Sequence, residues 1–282
     1  MSALRTAVLL GALSGLLVGL GYIVGGAGFA LVALVLAGVI NFVSYFFSDK
    51  LALRMAGAKE VTREQDPKLH AMVEEVATLA GVPKPKVYVV QNESPNAFAT
   101  GRNPEHAVVA VTTGIQRILT DRELRAVIGH EIGHVKNRDI LIGTIAATIA
   151  GAISYIQTML IWGSLFGGNN RNGGFIAIIA AVVAALAAGL LQMAVSRTRE
   201  FAADKSGAEY VHDPESLASA LAKLHNGVQA QPMPQSAGAE ATSSLYIVHP
   251  FRAGGGLGSL FSTHPPVEER IRRLRRMAGY VE

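Results

Sequence analysis

The chain has 282 residues, half of them apolar and only 16% charged, with 25 Lys and Arg against 21 Asp and Glu for a net charge of +4. Soluble domains carry roughly 25% charged residues, so this is not the balance of an ordinary soluble enzyme, and the charges must be confined to limited stretches. Cysteine is absent, which removes disulfides and thiolate metal sites, and the basic residues flank apolar runs instead of clustering in one module, which argues against a nucleic-acid partner.

In chain order, 6–26 and 29–47 are uncharged stretches, each near the ~20 residues that cross a hydrocarbon core, and they predict a hairpin of two membrane spans joined by a Gly-rich turn. The first exceeds the roughly 7 to 15 apolar residues of a signal-peptide core and a second follows at once, so it reads as a retained anchor. Asp66 and Pro67 predict a helix start and Gly81 its end. The Val-rich stretches 85–91 and 106–114 read as strands around the turn-rich NESPNAFATGRNP. Thr120 and Glu123 form a capping box for a helix through ELRAVIGHEIGHVKNRD. Apolar runs at 140–162 and 175–195 predict a second membrane hairpin. Residues 196–211 predict a charged helix broken near Asp213 and Pro214, with another helix after it. A stretch rich in Gln, Ser, Gly, Ala and Pro at 229–262 predicts a long mobile loop interrupted by LYIVHPF, and PPVEERIRRLRRMAGYV predicts a basic amphipathic helix.

The expected fold is mostly α with a small β-sheet, in a polytopic membrane protein with four transmembrane helices. Residues 1–48 form the first hairpin, 49–139 a cytosolic part, 140–195 the second hairpin and 196–282 a second cytosolic part. Orientation follows from charge. Arg5, Lys50, Arg54, Lys59, Arg63, Lys136, Arg138, Arg197 and Arg199 flank the spans on one side, and the connecting turns carry only Arg171, so both termini and every hydrophilic segment are expected in the cytoplasm.

Residues 130–134 read H-E-x-x-H. Residues four apart on a helix lie one turn above each other, so His130 and His134 can reach one Zn2+ while Glu131 stands beside the water to be activated. A catalytic zinc needs a third protein ligand, and Glu200 in RTREFAAD is placed for it, with Asp204 one turn on. His134 lies six residues before span three and Glu200 about five after span four, which puts each roughly 7 to 9 Å from the membrane boundary. An antiparallel hairpin therefore brings both ligand helices side by side. The expectation is one zinc per chain on His130, His134 and Glu200, with Glu131 as catalytic base and Asp204 fixing the tautomer of a ligand histidine.

Together PNAFATG at 95–101, HEIGH at 130–134, SRTREFAAD at 196–204 and STHPPVEERI at 262–271 resemble the HtpX family of membrane zinc endopeptidases, related to the CAAX prenyl proteases. The resemblance covers nearly the whole chain. It implies a zincin-like cytosolic metalloprotease domain in a multi-pass protein of the plasma (inner) membrane, acting in quality control on unfolded or misassembled membrane proteins. It further implies that Asn96, Ala97, Phe98 and Ala99 form an edge strand beside the cleft, where an extended substrate adds as another strand. His264, held extended by Pro265, is implied to stabilise the oxyanion or to occupy the open metal position; a turn docking the C-terminal helix is the alternative. A prenyl-peptide protease and a non-proteolytic membrane scaffold remain the competing readings of function. An intramembrane site is disfavoured because Lys136, Arg138 and Asp139 follow the motif at once.

Overall fold

A computed structural model of the chain describes residues 2–145, 197–251 and 265–280. Helix α1 (Ser2–Met55) comprises 54 residues. It cannot be straight, because the Asn41 side-chain amide donates to Ser14 Oγ at 2.8 Å, and 27 residues of straight helix would hold them about 40 Å apart. The chain doubles back between them, at Gly26, whose φ of +68° is open to glycine and strained for other residues. Among the described residues α1 is the one helix long and apolar enough to cross a membrane, and its window Gly26–Val43 has a mean hydropathy of 2.3 and is 6% buried. The expected spans at 140–162 and 175–195 lie outside the described residues, except for helix at 140–145.

The described residues contain four short strands. They are β1 (Ala58–Glu60), β2 (Lys86–Val90), β3 (Ala97–Thr100) and β4 (Val108–Thr112), in the order β1-β2-β4-β3. Strands β2 and β4 pair in parallel, and β1 and β3 flank them antiparallel. All of β4 is buried because the sheet is covered on both faces. Val109 and Val111 enter the core shared with the helices, while Val108 and Ala110 turn to a second cluster with Phe98, Leu53 and Tyr246, as alternation along a strand requires. The sequence signals for β2 and β4 hold. β1 has no such signal, being three residues, AKE, whose Glu60 carboxylate takes Tyr88 Oη–H at 3.0 Å and pairs with Lys86 of β2.

Helix α2 (Pro67–Ala80) starts where Asp66 accepts the Leu69 N–H and ends at Gly81. After a short α3 (Thr113–Ile118), α4 (Asp121–Lys136) is capped reciprocally by Thr120 and Glu123, as expected. Helix α5 (Arg197–Val211) lies against α4, and α6 (Pro214–Ala230) begins at the Asp213 cap. The short α7 (Ala237–Thr242) and a 3-10 turn, Ser243–Leu245, lead into a stretch in which Tyr246, Ile247 and Val248 are buried. That part of the expected mobile loop is therefore core. Its apolar side chains cover the outer edge of β3, and Ile247 N–H donates to Ala97 O at 2.9 Å. Helix α8 (Val267–Met277) docks on α6.

Candidate metal centre

Helices α4 and α5 approach closely because small residues face each other. A Cβ on Gly133 would lie 3.2 Å from Ala203 O, and one on Gly207 would lie 2.5 Å from His130 N. This seam sets Glu200, in the first turn of α5, opposite the two histidines of α4.

His130 Nε2 and His134 Nε2 are 3.2 Å apart, Glu200 Oε1 is 3.4 Å from His134 Nε2, and Glu200 Oε2 is 3.8 Å from His130 Nε2. Ligand atoms around one tetrahedral zinc stand about 3.3 Å from each other, given bonds of roughly 2.0 to 2.1 Å. One donor atom from each of these residues lies within 4.8 Å of the others, so the three could hold a single ion. The donor set of two imidazoles and one carboxylate, converging from two helices, fits a divalent metal.

Outer contacts orient these ligands. Asp204 Oδ1 sits 2.9 Å from His130 Nδ1, so Nδ1–H donates to the carboxylate and Nε2 keeps its lone pair for a metal. Asp204 is in turn gripped by Arg270 of α8, through Nε at 2.8 Å and Nη2 at 2.7 Å. Arg270 is fully buried, and its Nη1 donates to Ile247 O at 2.7 Å and lies 3.6 Å from Glu200 Oε2. Burial alone would raise the Asp204 carboxyl, but Arg270 and His130 outweigh it and hold it at about 2. His130 is brought down to about 4 by its burial, against the pull of Asp204. Burial also acts to lower His134, yet the charge of Glu200 and the contact with Asp139 lift it to about 10. A cation entering the site must displace that proton.

Glu131 is buried, and its carboxyl is raised to about 8 by desolvation, with Glu200 adding to the rise. The Ala99 N–H donates to this carboxylate, while Oε1 has no partner. Both Glu131 and Glu200 line a small cleft, shared with Ala99, Arg199, Ser244 and Leu245 among others.

Of the sequence-derived residues, His130, Glu131, His134, Glu200 and Asp204 meet in this one place. The stretch Asn96 to Ala99 divides. Asn96 O accepts the Thr112 N–H of β4, so Ala97 and Ala99 turn their main-chain groups to the outer edge. At that edge Ala97 O takes the Ile247 N–H. The Asn96 side chain pairs both ways with the Val248 backbone, Nδ2 to O at 2.7 Å and N to Oδ1 at 3.3 Å. Phe98 packs edge-on against Tyr246 in the core. Ala99 alone of the four lines the cleft. His264 lies outside the described residues.

Sequence reasoning missed Arg270, Arg199 and Ser244. A signal for Arg270 exists, since it shares a helix face with Val267, Ile271 and Leu274, and a charge on an apolar stripe marks a buried partner. The other two carry no local signal.

A model of Peptidase family M48 matches residues 63–278. The protease HtpX homolog of Persephonella marina is 50% identical over 283 residues, covering 99% of this chain and 98% of that protein. The namesake in Thermococcus kodakarensis is 49% identical over 280 residues, covering 98% and 96%. In fold, the chain resembles the crystal structure of S. mikatae Ste24p, with a TM-score of 0.52 and 18% identity over 97% of this chain, and it spans 64% of that one.

Proposed function

The chain belongs to peptidase family M48 and is a membrane metalloprotease, and we propose that its metal is zinc, held by His130, His134 and Glu200, and that it cleaves internal peptide bonds. The observation that carries this reading is the convergence of three ligand atoms within 4.8 Å, from two helices, beside a buried glutamate with a free oxygen.

When bound, zinc supplies polarisation of a water and of the scissile carbonyl. Glu131 takes the proton of the attacking water on its unpartnered oxygen and delivers it to the leaving amine, while Ala99 N–H fixes the other side of the carboxylate. Asp204 holds His130 in the tautomer that offers Nε2, and Arg270 holds Asp204. An extended substrate pairs with the outer edge of β3 through Ala99 O, the Ala99 N–H being held by Glu131. Recognition through backbone groups suits unfolded or misassembled membrane proteins as substrates. Charge placement supports four spans with both termini and the site on the cytoplasmic side of the plasma membrane. His264 is proposed to reach the same cleft and assist the oxyanion.

Hydrolysis of casein by the detergent-purified protein is the test. Cleavage should stop with a chelator, return with added zinc, and fall roughly 10²- to 10⁴-fold in Glu131→Gln. Chelator-insensitive cleavage, or full activity in Glu131→Gln, would overturn the reading.

A further inference from the structure

Buried side-chain oxygens without a hydrogen-bond partner are rare in folded proteins and each wants an explanation. Among the described residues two of them line the metal cleft, Glu131 Oε1 and Ser244 Oγ. The first is explained by the attacking water. Ser244 is not. Its neighbour Ser243 satisfies its hydroxyl in the usual way, donating to Glu240 O at 2.7 Å, so local backbone geometry offers such a bond to one serine and not to the other.

The position of Ser244 is fixed rather than incidental. It sits in a 3-10 turn directly before Tyr246 and Ile247, each 1% exposed. That stretch is pinned to β3 by Ile247 N–H on Ala97 O and by the Asn96 side chain on Val248. Arg270 fixes the other face of Ile247 through its carbonyl. The same stretch therefore fills the outer edge of β3 as far as Ala97. Among the described residues no further strand flanks β3 on that side, and Ser244 shares the cleft with Ala99.

We infer that Ser244 Oγ–H donates a hydrogen bond to a main-chain carbonyl of the bound substrate, taking over where pairing with β3 ends at Ala99. This deepens the endopeptidase reading and rests on it. In the free enzyme the hydroxyl is desolvated without compensation, and bound substrate completes it.

Ser244→Ala and Ser244→Thr test this in the full-length, zinc-loaded protein, with kcat and KM measured on a quenched-fluorescence peptide and unfolding followed by heat. The expected result is a loss in kcat/KM of roughly tenfold for Ser244→Ala, the worth of one neutral hydrogen bond, with most of it retained in Ser244→Thr. Zinc content should be unchanged and the unfolding midpoint equal or higher, since an unsatisfied group has been removed. A purely structural serine would instead lower the midpoint. Wild-type kcat/KM in Ser244→Ala, or a loss that tracks a lowered midpoint, overturns the inference while leaving the protease reading intact. A wild-type protein without chelator-sensitive cleavage sinks both.

Discussion

His130 is useful to a metal because of what stands behind it. Asp204 accepts a hydrogen bond from its Nδ1–H, and Arg270 neutralises Asp204 inside the protein, with all three side chains buried. Removing one member of such a pair leaves an uncompensated buried charge, which costs about 3 to 5 kcal/mol, whereas apolar replacement of both is far milder. Arg270→Met should therefore lower the thermal midpoint sharply. The double variant Asp204→Leu with Arg270→Met should recover much of the stability, though not the metal affinity that Asp204 supports. Additive destabilisation in the double variant would mean that the pair is not coupled as described. His130, His134 and Glu200 were legible because helix phase and the six- and five-residue offsets from apolar runs fix where they lie. Arg270 is 66 residues from Asp204, and nothing local in the sequence brings the two together.

Helix α4 delivers the histidines only if α5 comes within touching distance. At Gly207, where a Cβ would stand 2.5 Å from His130 N, alanine forces the helices apart. Gly207→Ala is expected to cost roughly 1 to 3 kcal/mol by overpacking and to lower zinc content, because Glu200 moves with α5; unchanged zinc affinity would contradict this. The start of α4 is also charge-dependent. Burial would raise the Glu123 carboxyl, but Lys223, Ser219 and Thr120 outweigh it and bring it from 4.5 to about 2. A depressed folded value stabilises above the unfolded one, so this contribution is present above pH 4.5 and is lost as pH falls toward 2. Glu123→Gln should lower stability at pH 6 and match the wild type near pH 2, read from unfolding midpoints across that range. Caps and glycine stops made α2, α4 and α6 readable. The burial of Tyr246, Ile247 and Val248 was not readable, because their polar, small-residue surroundings look like a loop until the β3 edge is there to be covered.

For the whole molecule, the site is assembled from segments on either side of apolar runs, so membrane topology and catalysis are one problem. The fold of α1 on itself at Gly26 makes a direct prediction in a chain that has no cysteine. With Ser14→Cys and Asn41→Cys introduced together, oxidation of native membranes should form an intramolecular disulfide between the two arms, detected by a gel shift that a reductant reverses. Neither single variant should show it, and failure to crosslink would refute the hairpin. The sequence reading put a Gly-rich turn between two uncharged runs, and the positive φ of Gly26 falls at that break. It had no means of anticipating Ser244, whose significance arises only from a hydroxyl buried in the cleft that Ala99 also lines. At the centre of the account stands one ion shared between α4 and α5, and metal stoichiometry tests that most directly. Purified wild-type protein and Glu131→Gln should each carry one zinc per chain through dialysis, and Glu200→Ala should lose it. Stoichiometric zinc retained with undiminished affinity in Glu200→Ala would contradict the shared site.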